Sequence, residues 1–115
     1  MKQLGIKGEV LAVGFLRGKG YRIISRNFKT PIGEIDIIAK DGKTLVFAEV
    51  KTRSDNTFGQ PFEAVNYRKR EKLKKVALYY LKNNCKKEVS SRFDVLSIEI
   101  NGDKSKIEHI IDAFE

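Results

Sequence analysis

The sequence predicts an α/β domain whose elements follow one another as α-β-β-β-α-β-β. Three observations lead there. Two long stretches, residues 4–18 and 62–84, repeat apolar residues at helical spacing. The residues between and after them fall into short runs rich in isoleucine, valine and phenylalanine, with polar residues alternating. Two dipeptides, Asp41-Gly42 and Asn101-Gly102, punctuate those runs as hairpin turns.

In the first helix Leu4, Leu11 and Phe15 share a side, and Ala12, Leu16 and Val13 widen the apolar arc. On a helical wheel Glu9 falls between Leu16 and Val13, inside that arc rather than opposite it. Gly18 and Gly20 end the helix. "YRIISRNF" (21–28) is the first strand and "TPIG" (30–33) a bend. "EIDIIAK" (34–40) and "TLVFAEVKTR" (44–53) form the next two strands. A polar loop, 54–60, follows, and Pro61 is suited to the first position of the second helix. Leu73, Val76, Ala77, Tyr80 and Leu81 make that helix's apolar stripe. "RFDVLSIEI" (92–100) is the fourth strand, and 106–114 a short last strand or irregular tail.

A chain of 115 residues suits one domain, 1–115, able to bury a core without staples. Cys85 is the only cysteine, which excludes an internal disulfide and a thiolate zinc site and favours a reducing, cytoplasmic setting. No apolar run is long enough to cross a membrane, and Glu9 with its neighbouring glycines interrupts the N-terminal stretch, so neither a membrane partner nor a signal peptide is expected. The net charge is +8, unevenly spread: seven basic residues against one acidic in 1–30, and nine against three in 61–90. A basic surface of this kind suits a polyanion, nucleic acid first.

The central hairpin carries charge where a buried strand should not. With Asp41-Gly42 as a two-residue turn, Glu34 faces Glu49, Asp36 faces Phe47, and Asp36 and Glu49 become diagonal neighbours. Alternation then puts Glu34, Asp36, Ile38, Leu45, Phe47, Glu49 and Lys51 on one face. Ile35, Ile37, Ala39, Thr44, Val46, Ala48 and Val50 take the other. Three carboxylates on one partly buried patch repel each other and cost desolvation energy. A divalent cation with oxygen ligands, Mg²⁺ or Mn²⁺, removes that penalty and keeps waters for a phosphate substrate. Lys51 points the same way and can orient water or stabilise charge on phosphorus. The chemistry is metal-assisted phosphodiester hydrolysis; the plainer reading is a solvated face with a Glu49–Lys51 surface pair.

Asp36, twelve residues, then Glu49-Val50-Lys51 resembles the motif of the PD-(D/E)xK restriction-endonuclease-like superfamily, with Ile35 where its name has proline. "GEIDIIAKDGKTLVFAEVKTR", "FGQPFEAVNYRK" and "RFDV" are similar to the YraN-like family of small bacterial proteins, over nearly the whole chain. The resemblance implies a restriction-endonuclease-like core, a mixed sheet flanked by helices. It implies metal ligation by Asp36 and Glu49, catalysis by Lys51, and support from Glu9, the helical acid of the Holliday junction resolvase-like branch; Glu34 is a further candidate. Those relatives also imply a homodimer.

For the nucleic acid, DNA ahead of RNA, the candidate contacts are Arg53 and Gln60 beside the polar loop and Arg68, Lys69, Arg70 and Lys72 in the basic run 67–75. The plainer reading of that run is a charged helix face with Glu71–Lys75 pairing. His109 is expected to be structural or at the surface, and Asp94 to pair with Arg92 or a helix lysine. A metal-dependent endonuclease acting on branched or damaged DNA is the first functional expectation. A non-catalytic nucleic-acid-binding module with the same fold is the alternative.

Overall fold

The computed structural model describes residues 2–54 and 66–115. Its elements are α1 (Lys2–Gly18), β1 (Arg22–Lys29), β2 (Glu34–Asp41), β3 (Thr44–Ser54), α2 (Tyr67–Asn84), β4 (Ser91–Asn101) and β5 (Lys104–Phe114). The order is the one expected. The strands form one sheet in the order β1-β2-β3-β4-β5, antiparallel except for the β3–β4 pair, which is parallel because α2 connects those strands as a crossover.

The sheet is covered on both faces. Ala12, Val13 and Leu16 of α1 pack on Ile37, Ala39, Val46, Ala48, Leu96 and Ile98. Leu73, Val76 and Ala77 of α2 pack on Ile38, Leu45, Phe47 and Val95. This double cover explains why β3 and β4 are nearly continuous apolar runs in their middles. α1 packs tightly against β3 at Gly8, where a Cβ would come within 1.8 Å of Thr52 Oγ1.

The hairpin register differs from the sequence expectation. Asp41 pairs with Thr44 and Ile38 with Phe47, so the turn residues are Gly42-Lys43, not Asp41-Gly42. Gly42 has φ +61 while Lys43 is not left-handed, the pattern of a type II′ turn with glycine at its first central position. The β4–β5 turn repeats it: Asn101 pairs with Lys104, and Gly102 has φ +63. A shift by two residues keeps every side chain on its face but moves each opposite number. One residue does leave its expected face: Ile35 packs with Ile38, Leu45 and Leu73 on the α2 side, not with Ile37.

The second helix also starts later than expected. Asn66 is extended (φ −76, ψ 174), and its side chain accepts a hydrogen bond from Lys69 N at 2.9 Å, so it is the N-cap and the helix begins at Tyr67. Pro61 lies outside the described residues. The last element is a full strand of 11 residues with an irregular pairing between Phe93 and Val95.

Candidate active site

The β2–β3 ladder stops at Ile37–Ala48, while β3 continues beside β4 as far as Ser54. The strands therefore part at Asp36 and Glu49, which the observed register places opposite one another rather than diagonally. The parting leaves the Val50 N–H without a β2 carbonyl, and the Asp36 carboxylate accepts it at 2.8 Å. An aspartate thus serves as the terminal rung of the ladder. The start of β2 is set by Thr30, whose Oγ1 accepts from the backbone N–H groups of Ile32 and Gly33 at 3.1 Å each. Gly33 lies against Lys72 of α2, where a Cβ would stand 3.3 Å from Lys72 Cδ.

Between the parted strands and α2 lies a cleft of about 370 Å³, lined by Gly33, Glu34, Asp36, Glu49, Val50, Lys69, Lys72 and Leu73. Glu49 is only 5% exposed. Lys69, in the first turn of α2, reaches into the cleft and places Nζ 2.5 Å from Glu49 Oε2. It also lies beside the half-buried Lys51 ammonium. Glu9 comes from α1 close enough to act on Asp36 through space, and its Oε1 is buried without a hydrogen-bond partner among the described residues.

The electrostatics follow from burial and crowding. Burial raises the Asp36 pKa, the Glu49 carboxyl and Glu9 add to it, and the Val50 N–H opposes it; the result is a carboxyl pushed up to about 8. Burial works against ionised Glu49 too, but the hydrogen bond with Asp36 and the Lys69 and Lys51 ammoniums outweigh it, and Glu49 stays below its ordinary value. Lys51 is lowered, first by burial and then by Lys69, against the pull of Glu49 and Asp36. Lys69 is raised: burial opposes its charge, and Glu49 more than compensates.

The structure thus brings Glu9, Asp36, Glu49 and Lys51 to one place, with Lys69 among them. Glu34 is exposed, pairs with Lys29 of β1 rather than facing Glu49, and stands at the cleft's edge. Arg68 and Lys72 are exposed on α2; Arg70 lies over the Phe114 ring, 6.0 Å from its centroid. Arg53 is half-buried on β3, and Gln60 lies outside the described residues. The expected Glu71–Lys75 pair is instead Glu71–Lys74, at 2.9 Å.

Among the described residues no group of three carboxylate, imidazole or thiolate side chains is close enough to hold a metal. Asp36 and Glu49 are the donors on offer. That set fits Mg²⁺ or Mn²⁺, which take one or two carboxylates and fill the remaining positions with water and substrate oxygens. The raised Asp36 and the orphaned Glu9 oxygen mark a place short of positive charge.

The model of the Uncharacterised protein family UPF0102 matches residues 8–98. The chain belongs to the UPF0102 family. This is the YraN-like family whose motifs the hairpin carries. A UPF0102 protein of Thermodesulfovibrio yellowstonii is 55% identical over 112 residues, 97% of this chain and 96% of the relative. One of Geobacter metallireducens is 48% identical over 99% of this chain and 93% of the relative, and one of Syntrophomonas wolfei 49% identical over 98% of each. UPF0102 relatives thus cover nearly the whole length of this chain. No helix among the described residues is long and apolar enough to cross a membrane.

Proposed function

We propose that this UPF0102 protein is a metal-dependent endonuclease that hydrolyses phosphodiester bonds in DNA, with branched or damaged structures as its preferred substrates. The observation that carries the reading is the parting of β2 and β3 at Asp36 and Glu49, which holds two carboxylates and Lys51 at one cleft. Asp36 and Glu49 would hold Mg²⁺ or Mn²⁺, which supplies charge neutralisation at the phosphate and acidifies a bound water.

The chain's own groups do the rest. Val50 N–H fixes the Asp36 carboxylate. Glu9 adds negative charge near Asp36 that a bound cation would offset. Lys51, with its charge weakened by burial, orients the attacking water and meets the charge that develops on phosphorus. The water gives up a proton as its oxygen bonds to phosphorus, the ester P–O bond breaks, and the departing oxygen takes up a proton from solvent. Arg68 and Lys72 on the exposed side of α2 grip neighbouring phosphates. Two copies acting as a homodimer would cut two strands.

The test is cleavage of branched, flapped and single-stranded DNA with Mg²⁺ or Mn²⁺. Wild type is expected to cut at least one class, and Asp36→Ala and Lys51→Ala to lose activity by at least about a hundredfold. Equal cutting by wild type and both variants would reject the site. One observation favours the second reading, a binding module without catalysis: Lys69 already neutralises Glu49. That reading predicts salt-sensitive DNA binding that survives Asp36→Ala in protein that cuts nothing.

A further inference from the structure

We infer that Lys69 is a resident counter-cation of the carboxylate pair, which a divalent ion must displace from Glu49 before it can bind. The inference rests on the metal-site reading above and adds to it how loading of that site is controlled.

Three features of the structure carry it. First, Lys69 Nζ contacts Glu49 Oε2 directly, on the carboxylate that faces Asp36 across the parted strands. A divalent ion held by that pair would meet an ammonium already on the Glu49 carboxylate, a like charge in the same cleft. Second, the contact is held from outside the sheet. Lys69 stands in the first turn of α2, and its backbone N–H is fixed by the Asn66 cap at 2.9 Å. The ammonium is therefore presented to Glu49 from a capped helix start, with the Lys69 side chain 39% exposed. Third, Lys69 sits beside a second ammonium, Lys51. Two like charges so close are costly unless a carboxylate lies between them, so Glu49 is what keeps Lys69 in the cleft.

An incoming divalent ion reverses that balance. With Glu49 committed to the ion, Lys69 faces Lys51 and the ion, both positive, and leaves toward the mouth that Lys72 also lines. There it is placed to meet a phosphate oxygen. Lys69 thus neutralises Glu49 without metal, weakens metal binding because its ion pair must be broken, and is released to the substrate side when the site loads. The sequence reading had Lys69 only among the phosphate contacts of a basic run.

The experiment is calorimetric titration with Mn²⁺ of wild type, Lys69→Met, Lys69→Gln and Lys74→Met, with the unfolding midpoint of each metal-free protein measured alongside. Lys74 removes the same charge from the same helix but pairs with Glu71. The two Lys69 variants are expected to bind Mn²⁺ roughly tenfold tighter than wild type, a typical size for one site's coupling to another, and to have lower metal-free midpoints because Glu49 loses its partner. Lys74→Met should match wild type in affinity. A Lys69 of purely structural role would lower the midpoint without tightening Mn²⁺, and that result overturns the inference while leaving the metal site standing. Equal tightening in Lys74→Met also overturns it, since it would mean a general field effect. If neither wild type nor any variant binds Mn²⁺, the inference and the metal-site reading fall together.

Discussion

Asp36 concentrates the chemistry of the cleft in one titration. Its carboxyl is raised from the ordinary 3.8 to about 8 by burial, Glu49 and Glu9. The native state therefore holds a proton that the unfolded chain releases, and between those two values stability falls as pH rises. Glu49 has the opposite sign, but its pKa is lowered, so its contribution is lost only on acidification below the ordinary carboxylate range. Urea unfolding in the presence of a chelator should show metal-free protein losing stability from pH 5 to pH 8, and Asp36→Asn should flatten that slope. An unchanged slope in the variant would place the raised group elsewhere. Asp36, Glu49 and Lys51 were legible in the sequence because alternation survives an even register error. Lys69 was not legible as a member of the cleft, because its contact with Glu49 depends on how α2 docks and leaves no local pattern.

At the scale of elements, turn chemistry and helix packing decide where those side chains meet. Both hairpin turns were located by their glycines, yet each glycine occupies the first central position of its turn, one place earlier in the turn than an Asp-Gly or Asn-Gly reading puts it. The apolar faces follow the alternation except at Ile35, while the opposite numbers differ, since only the backbone twist of the turn distinguishes the two registers. Glu9 inside the apolar arc of α1 was legible from the wheel; its reach to Asp36 follows from Gly8, which lets α1 close on β3 at Thr52. A methyl at Gly8 meets the stiff Thr52 side chain, so Gly8→Ala should destabilise the protein by about 1–3 kcal/mol. Gly14, on the same helix, has open space where its Cβ would be, and Gly14→Ala should stabilise by about 0.5–1 kcal/mol. Denaturant midpoints of the two variants check the pair, and movement in the same direction would contradict the packing.

Across the whole molecule, a second polar cluster holds the sheet's far edge. Asp94, 1% exposed, accepts hydrogen bonds from Arg92 Nε at 3.0 Å and the Asp112 backbone N–H at 3.0 Å, and pairs with His109 Nε2 at 2.7 Å. Arg92 continues to Tyr21 and Asp41, and Lys19 lies 2.8 Å from His109 Nδ1. Burial works against ionised Asp94, but His109, Arg92 and the Asp112 N–H outweigh it and hold it below its ordinary value. The Arg92–Asp94 pair and a structural His109 were readable, being two residues apart and the only histidine. The network joining the turn after α1, β2, β4 and β5 was not, because it exists only once those elements are assembled.

The cluster links β4 to β5 beside their irregular pairing, and the candidate site lies at the parting of β2 and β3. The chain as a whole carries a net charge of +8. All of this converges on whether Asp36 and Glu49 hold a divalent ion. Calorimetric titration of the purified protein with Mn²⁺, beside Asp36→Asn at the same pH, answers it most directly. Saturable binding in wild type that Asp36→Asn abolishes is the result predicted; heats of dilution alone in wild type, or equal binding by the two proteins, would contradict the account.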